Sequence, residues 1–123
     1  MLLELDFSSD IPIYMQIRNS IVVGIASGEL RAGEKLPTIR GLADEAGVNM
    51  MTVNKAYSLL KQEGYIVTDR RNGACVNPDI NTAKTYGEEE INKLKLVISE
   101  MKLSGVTEEE FLNICRSIFR EKE

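Results

Sequence analysis

Gly47 is followed closely by Asn49, Met50, Met51, Thr52, Asn54 and Lys55, and preceded by Lys35, Thr38 and Arg40. These side chains suit recognition of a nucleic acid. A carboxamide such as that of Asn54 can pair with adenine. A guanidinium such as that of Arg40 can pair with guanine O6 and N7 or with a phosphate, and a methionine offers apolar contact to a thymine methyl. Farther on, Arg70, Arg71, Asn72 and Gly73 make a basic tip that could enter a minor groove or meet sugar-phosphate. Each residue alone also has a plainer reading: Arg40 as a solvated arginine, Asn54 as an idle amide, Met50 and Met51 as packing against an earlier helix, the tip as a solubility device. Their grouping favours recognition.

Catalysis has less to draw on. The chain has no histidine, which removes Cys/His zinc sites, Ser-His-Asp triads and histidine acid/base chemistry. Cys75 and Cys115 lie far apart, without CxxC spacing, so both are expected reduced and structural. Glu88 to Glu90 and Glu108 to Glu110 stand at expected helix starts, where carboxylates favour the helix dipole. No metal, cofactor or enzymatic activity is expected.

Three devices would have to hold the recognition residues. The first is a pair of short helices. One is expected from about Ile39 to Ala46, burying Leu42 and Ala43, with Gly47 as a left-handed stop. The next runs from about Met50 to Glu63, with Asn49 as cap and Gly64 as terminator. On it Val53, Tyr57 and Leu60 share one face with Ala56 beside them, while Met51, Asn54, Lys55, Ser58 and Gln62 lie on the other. The second device is a β-hairpin, Tyr65 to Thr68 and Ala74 to Val76, joined by DRRNG, in which Asn72-Gly73 is a hairpin signal. The third is an amphipathic packing helix, capped by Asp10 with Pro12 in its first turn, striped by Ile13, Ile17, Ile21 and Ile25, and ending at Gly28. The segment GELRAGEKLP between the first two helices reads as turns. Together these predict a mainly α fold with a small β-hairpin, a winged helix-turn-helix.

Composition bounds the rest. At 123 residues, with 43% hydrophobic and 28% charged residues, the chain is an ordinary globular one, long enough for one small domain plus an appendage. No window suits a membrane span or a secretory leader, so a cytoplasmic location without membrane contact is expected. The net charge of −4 runs against non-specific DNA affinity. Up to residue 80 there are 8 basic and 10 acidic residues; beyond it, 7 and 9. Placement compensates, because Arg31, Lys35, Arg40, Lys55, Lys61, Arg70 and Arg71 fall near the proposed reading elements.

Beyond the turn-rich run NPDINTAKT, Ile91, Leu94, Ile98 and Met101 mark one helix closed by Ser104-Gly105. The capping box Thr107 to Glu110 opens a last helix bearing Phe111, Cys115 and Ile118. Two helices so apolar cannot bury both stripes against each other, so these residues are the expected dimerisation surface. The expected organisation is a winged helix-turn-helix over 1–77, a linker over 78–85 and a helical dimerisation element over 86–123.

Ile13-Tyr14 with Gln16-Ile17, Leu36-Pro37-Thr38 with Arg40, Leu42-Ala43, Gly47-Val48-Asn49, Thr52-Val53, Ala56-Tyr57, Gly64-Tyr65-Ile66 and Gly73 carry a resemblance. Residues 11 to 76 look like the DNA-binding domain of GntR-family bacterial transcription regulators, and the short helical tail resembles the YtrA subfamily. The resemblance implies a homodimer on a palindromic duplex operator, and repression of a transporter or stress-related operon. It implies DNA contacts by Arg40, Asn49, Met51, Thr52 and Asn54, with Arg70 to Gly73 in the minor groove. Many members have arginine where this chain has Met50, so a guanine contact common in the family does not carry over to that position. A small-molecule effector acting on the two heads is also an expectation. The alternative is a winged helix serving as a protein-interaction module without specific DNA binding.

Overall fold

The computed structural model describes residues 3–80 and 86–121. The chain forms two compact units, Met1–Lys84 and Thr85–Glu123. Residues 81–85 of the expected linker lie outside the described residues. The first unit, the head, contains helices α1 (Ile13–Ser27), α2 (Ile39–Ala46) and α3 (Met50–Gln62), then strands β1 (Ile66–Asp69) and β2 (Gly73–Val76). It is the mainly helical winged helix-turn-helix that the spacing predicts.

The four-residue isoleucine repeat turns one side of α1 inward, burying Ile17 and Ile21 with Ile13 and Ile25 packed at the margin. The start of this helix differs from expectation. Asp10 does not cap it; the N-cap is Pro12, whose backbone is extended and whose ring offers no acceptor. Gln16 secures the entry instead. Its Nε2 donates to the carbonyls of Asp6 (2.9 Å) and Ile11 (2.8 Å), and its Oε1 accepts from the Asp6 N–H (2.8 Å).

The connection after α1 is more than turns. Leu36 N–H donates to the Ala74 carbonyl (2.8 Å) and Val76 N–H to the Glu34 carbonyl (2.8 Å), with an antiparallel bridge between Lys35 and Cys75. The wing is thus backed by a short third segment. Leu30 and Leu36, which flank that segment, are both buried. Too few apolar residues alternate there for a strand signal, so the pairing is a product of tertiary packing.

The core joins Ile17, Ile21, Leu30, Leu36, Leu42, Ala43, Val53, Ala56, Tyr57, Leu60, Ile66 and Val76. Burial of each large aliphatic side chain contributes about 1.5–3 kcal/mol. Arg18 of α1 adds a polar fastener: its Nε and Nη2 donate to the two carboxylate oxygens of Glu63 (2.9 and 3.0 Å), just past the end of α3. Hydrogen bonding to Glu63 raises the Arg18 pKa further.

The second unit, the tail, contains α4 (Glu88–Leu103) and α5 (Glu108–Phe119). Thr107 and Glu110 form the expected capping box at α5, and bonding from the Thr107 backbone N–H holds the Glu110 carboxyl below its ordinary pKa. No described residue of α4 or α5 is buried. Met101, Phe111 and Cys115 are half-buried, whereas Ile91, Leu94, Ile98 and Ile118 are exposed. Ile98, Met101, Phe111 and Leu112 line an apolar groove of about 480 Å³. No described helix is long and apolar enough to cross a membrane.

Candidate nucleic-acid interface

Thr38 leaves its backbone extended and accepts the Gly41 N–H on its hydroxyl (2.9 Å), which starts α2. Gly47 stops it at φ 71°, a left-handed conformation that costs glycine nothing, and its N–H bonds the Ala43 carbonyl. Asn49 then restarts the chain by accepting the Met51 N–H on Oδ1 (2.6 Å). This capping bond occupies one side of the Asn49 amide. Neither α2 nor α3 has an acidic residue in its first turn, so the partial positive charge at both helix starts is left for an outside anion.

Tyr57 locks the two helices together. Its ring is buried beneath α3 and its hydroxyl donates to the Pro37 carbonyl (2.8 Å), one residue before the α2 cap. Burial pushes its pKa up to about 12. The sequence placed Tyr57 on the packing face but gave no sign that its hydroxyl reaches across to Pro37, a contact between residues twenty apart.

Along α3 the outward face carries Met51, Asn54, Lys55 and Ser58, all exposed, with Thr52 half-buried. Met51 is 78% and Met50 46% exposed, so the methionines do not pack into the head. Lys55 Nζ lies over the Tyr14 ring, 4.2 Å from its centroid. Arg40 stands exposed on α2, and like Arg70 and Arg71 it makes no side-chain ion pair among the described residues.

The wing strands pair antiparallel from Ile66 opposite Val76 to Asp69 opposite Gly73. The turn therefore contains Arg70, Arg71 and Asn72, inside the expected DRRNG connection, whose outer residues Asp69 and Gly73 pair as strand ends. Only Gly73 has positive φ (70°) there, which fits a three-residue loop closed by a left-handed glycine. Asp69 folds the loop by accepting the Arg71 and Asn72 N–H groups on Oδ1. Bonding from the Asn72 N–H is the main cause that lowers the Asp69 pKa. Both arginines of this turn are exposed.

The start of α2, the face of α3 and the wing meet at a cleft of about 380 Å³. Of the expected residues it gathers Lys35, Thr38, Asn54, Asn72 and Gly73; Arg40, Asn49, Met50, Met51, Thr52, Lys55, Arg70 and Arg71 are not among its lining. Ser58, Lys61 and Thr68 also line it. Ser58 and Lys61 follow Asn54 by four and seven residues, the helical spacing that could have added both to the expected set.

The family model described as bacterial regulatory proteins, gntR family, matches residues 13–76, which run from α1 through β2. The transcriptional repressor YtrA of Bacillus subtilis (strain 168) is 34% identical over 107 residues, covering 85% of this chain and 82% of that protein. The crystal structure of a transcriptional antiterminator from Listeria monocytogenes EGD-e superposes with a TM-score of 0.85 at 29% identity, covering 100% of this chain and 96% of that one. The DNA-binding domain of AraR in complex with operator ORX1 matches with a TM-score of 0.55 at 27% identity, over 62% of this chain and 98% of that one. These relatives are regulators and DNA-binding domains, not enzymes. A family model spanning half of the chain, and a relative aligned along most of it, establish that this protein belongs to the GntR family of bacterial transcription regulators, on its YtrA-like side.

Proposed function

We propose that the protein is a cytoplasmic homodimeric repressor that binds a palindromic operator. The observation that carries this reading is a helix-turn-helix in which neither helix start carries an acidic residue, beside a wing whose turn bears two exposed arginines and whose Thr68, Asn72 and Gly73 share one cleft with Thr38 of α2 and Asn54 of α3. In the proposed complex the start of α3 enters the major groove, where Asn49, Met50, Met51, Thr52 and Asn54 meet base edges. Lys35, Thr38, Arg40 and Lys55 contact phosphates or flanking bases, while Arg70, Arg71, Asn72 and Gly73 sit in the adjoining minor groove. Repression is the function named for the YtrA relative, and operator binding is what the AraR complex holds.

Dimerisation is assigned to Ile91, Leu94, Ile98, Met101, Phe111, Cys115 and Ile118. Their support is the apolar surface that α4 and α5 leave uncovered. A two-fold pair of tails would present two heads to two half-sites. A small-molecule effector that favours one spacing of the heads over another would regulate binding. Screening cell-extract fractions for a change in DNA affinity tests that step, and no change in any fraction removes it.

Fluorescence anisotropy of the purified protein on DNA from upstream of its own gene, against a scrambled duplex over a salt series, tests the central reading. Selective binding that survives higher salt is the expected result. Equal weak binding to both duplexes, followed by failure to enrich any sequence from a random duplex pool, would overturn it in favour of a protein-interaction module.

A further inference from the structure

We infer that Tyr14 is a positioning residue for DNA recognition: its ring holds the Lys55 ammonium beside the reading face of α3, ready for a phosphate. This inference rests on the DNA-binding reading and adds to it a residue of α1. Lys55 Nζ sits 4.2 Å from the centroid of the Tyr14 ring, within the range at which a cation is attracted to an aromatic face. Tyr14 is itself half-buried and packed against the head's core, so the ring is a firm platform. Lys55 is exposed one helical turn after Met51 and next to Asn54.

The contrast with Arg18 shows why the kind of partner matters. Arg18 also lies over a ring, 5.6 Å from the Tyr65 centroid, but its guanidinium is neutralised by the two oxygens of Glu63. Lys55 has no carboxylate partner among the described residues. An aromatic face localises a cation without cancelling its charge, and it occupies only one side of the ammonium. The remaining N–H donors stay available for a phosphate oxygen. In a chain of net charge −4, a lysine fixed in this way gives positive charge at the interface while avoiding part of the ordering cost that a free lysine incurs on binding.

The test uses the full-length protein and a duplex that the wild-type protein enriches from a random-sequence pool. Lys55→Gln and Tyr14→Leu should each weaken binding by roughly three- to tenfold and reduce the slope of log K against log salt by about 0.9 for each head bound. Tyr14→Phe keeps the aromatic face and should retain both affinity and slope. The Tyr14→Leu/Lys55→Gln double variant should bind no more weakly than either single variant, because both remove one contact. An unchanged salt slope in Lys55→Gln, whose exposed position leaves folding intact, overturns the proposal. So does a loss in Tyr14→Phe equal to that in Tyr14→Leu. If the wild-type protein enriches no duplex, the DNA-binding reading falls first and this inference with it.

Discussion

The head and the tail solve the burial problem in opposite ways. In the head, three helices and the wing close over Ile17, Ile21, Leu42, Val53, Leu60, Ile66 and Val76, all 0–1% exposed. In the tail no described helical residue is buried, and Ile91, Leu94, Val97 and Ile118 remain open to solvent. Helix starts show the same division. The first turns of α2 and α3 lack acidic residues, whereas those of α4 and α5 each carry three glutamates. The head thus has a complete core and helix ends receptive to anions. The tail neutralises its own helix starts and exposes its apolar surface, which supports the proposed dimerisation.

The sharpest way to break that contrast is to charge the tail. Leu94→Glu or Ile98→Glu should give monomers by sedimentation and weaken operator binding by about 100-fold or more, since the second head loses its tethered advantage. A variant that stays dimeric at full affinity would refute the assignment of the tail. Truncating the head's core tests the other side: Leu42→Ala should lower unfolding free energy by about 2–5 kcal/mol in denaturant titrations. The same truncation of Leu96, 61% exposed in the tail, should cost far less in a single chain.

A smaller effect is expected at Tyr57. Tyr57→Phe removes the bond to Pro37 and should cost about 1 kcal/mol, with a larger proportional loss of DNA affinity if it frees the start of α2. The folded pKa of Tyr57 is raised from 10.0 to about 12. Its stabilising contribution is therefore full below pH 10 and lost as pH rises from 10 to 12. Alkaline melts should show this decline in the wild-type protein and less of it in Tyr57→Phe. The smallest effect belongs to Asp69, whose folded pKa lies below its ordinary 3.8. What it adds to the wing turn is present above that value and lost as pH falls through the lower folded one. Asp69→Asn should leave thermal stability at pH 7 nearly unchanged while loosening the wing, detectable as faster amide exchange at Arg71 and Asn72.

Much of the candidate site was legible because its parts are local. Thr38, Gly47 and Asn49 act on backbone groups within four residues, so cap chemistry alone places the helix-turn-helix. The start of α1 departs from expectation because a distant residue intervenes. Asp10 has a capping side chain, yet Gln16 reaches back over ten residues to fasten the loop that Asp10 was expected to organise. The DRRNG connection was legible from its residue types, and Asp69 within it gathers the loop into three residues. Ser58 and Lys61 were within reach of a helical count; Thr68 joins the cleft only because the wing folds back toward α3.

Periodicity and capping residues are properties of neighbours along the chain, so the order of helices, the glycine turn, the hairpin and the apolar tail could all be read from residue types. Contacts across the fold depend on which surfaces meet. The pairing of Lys35 with Cys75, the reach of Tyr57 to Pro37, the grip of Arg18 on Glu63 and the placement of Lys55 over Tyr14 exist only once the core has closed. Burial of the isoleucine stripe and of Leu30 and Leu36 brings these partners together, because hydrophobic burial is indifferent to separation in sequence whereas a cap or a turn is not.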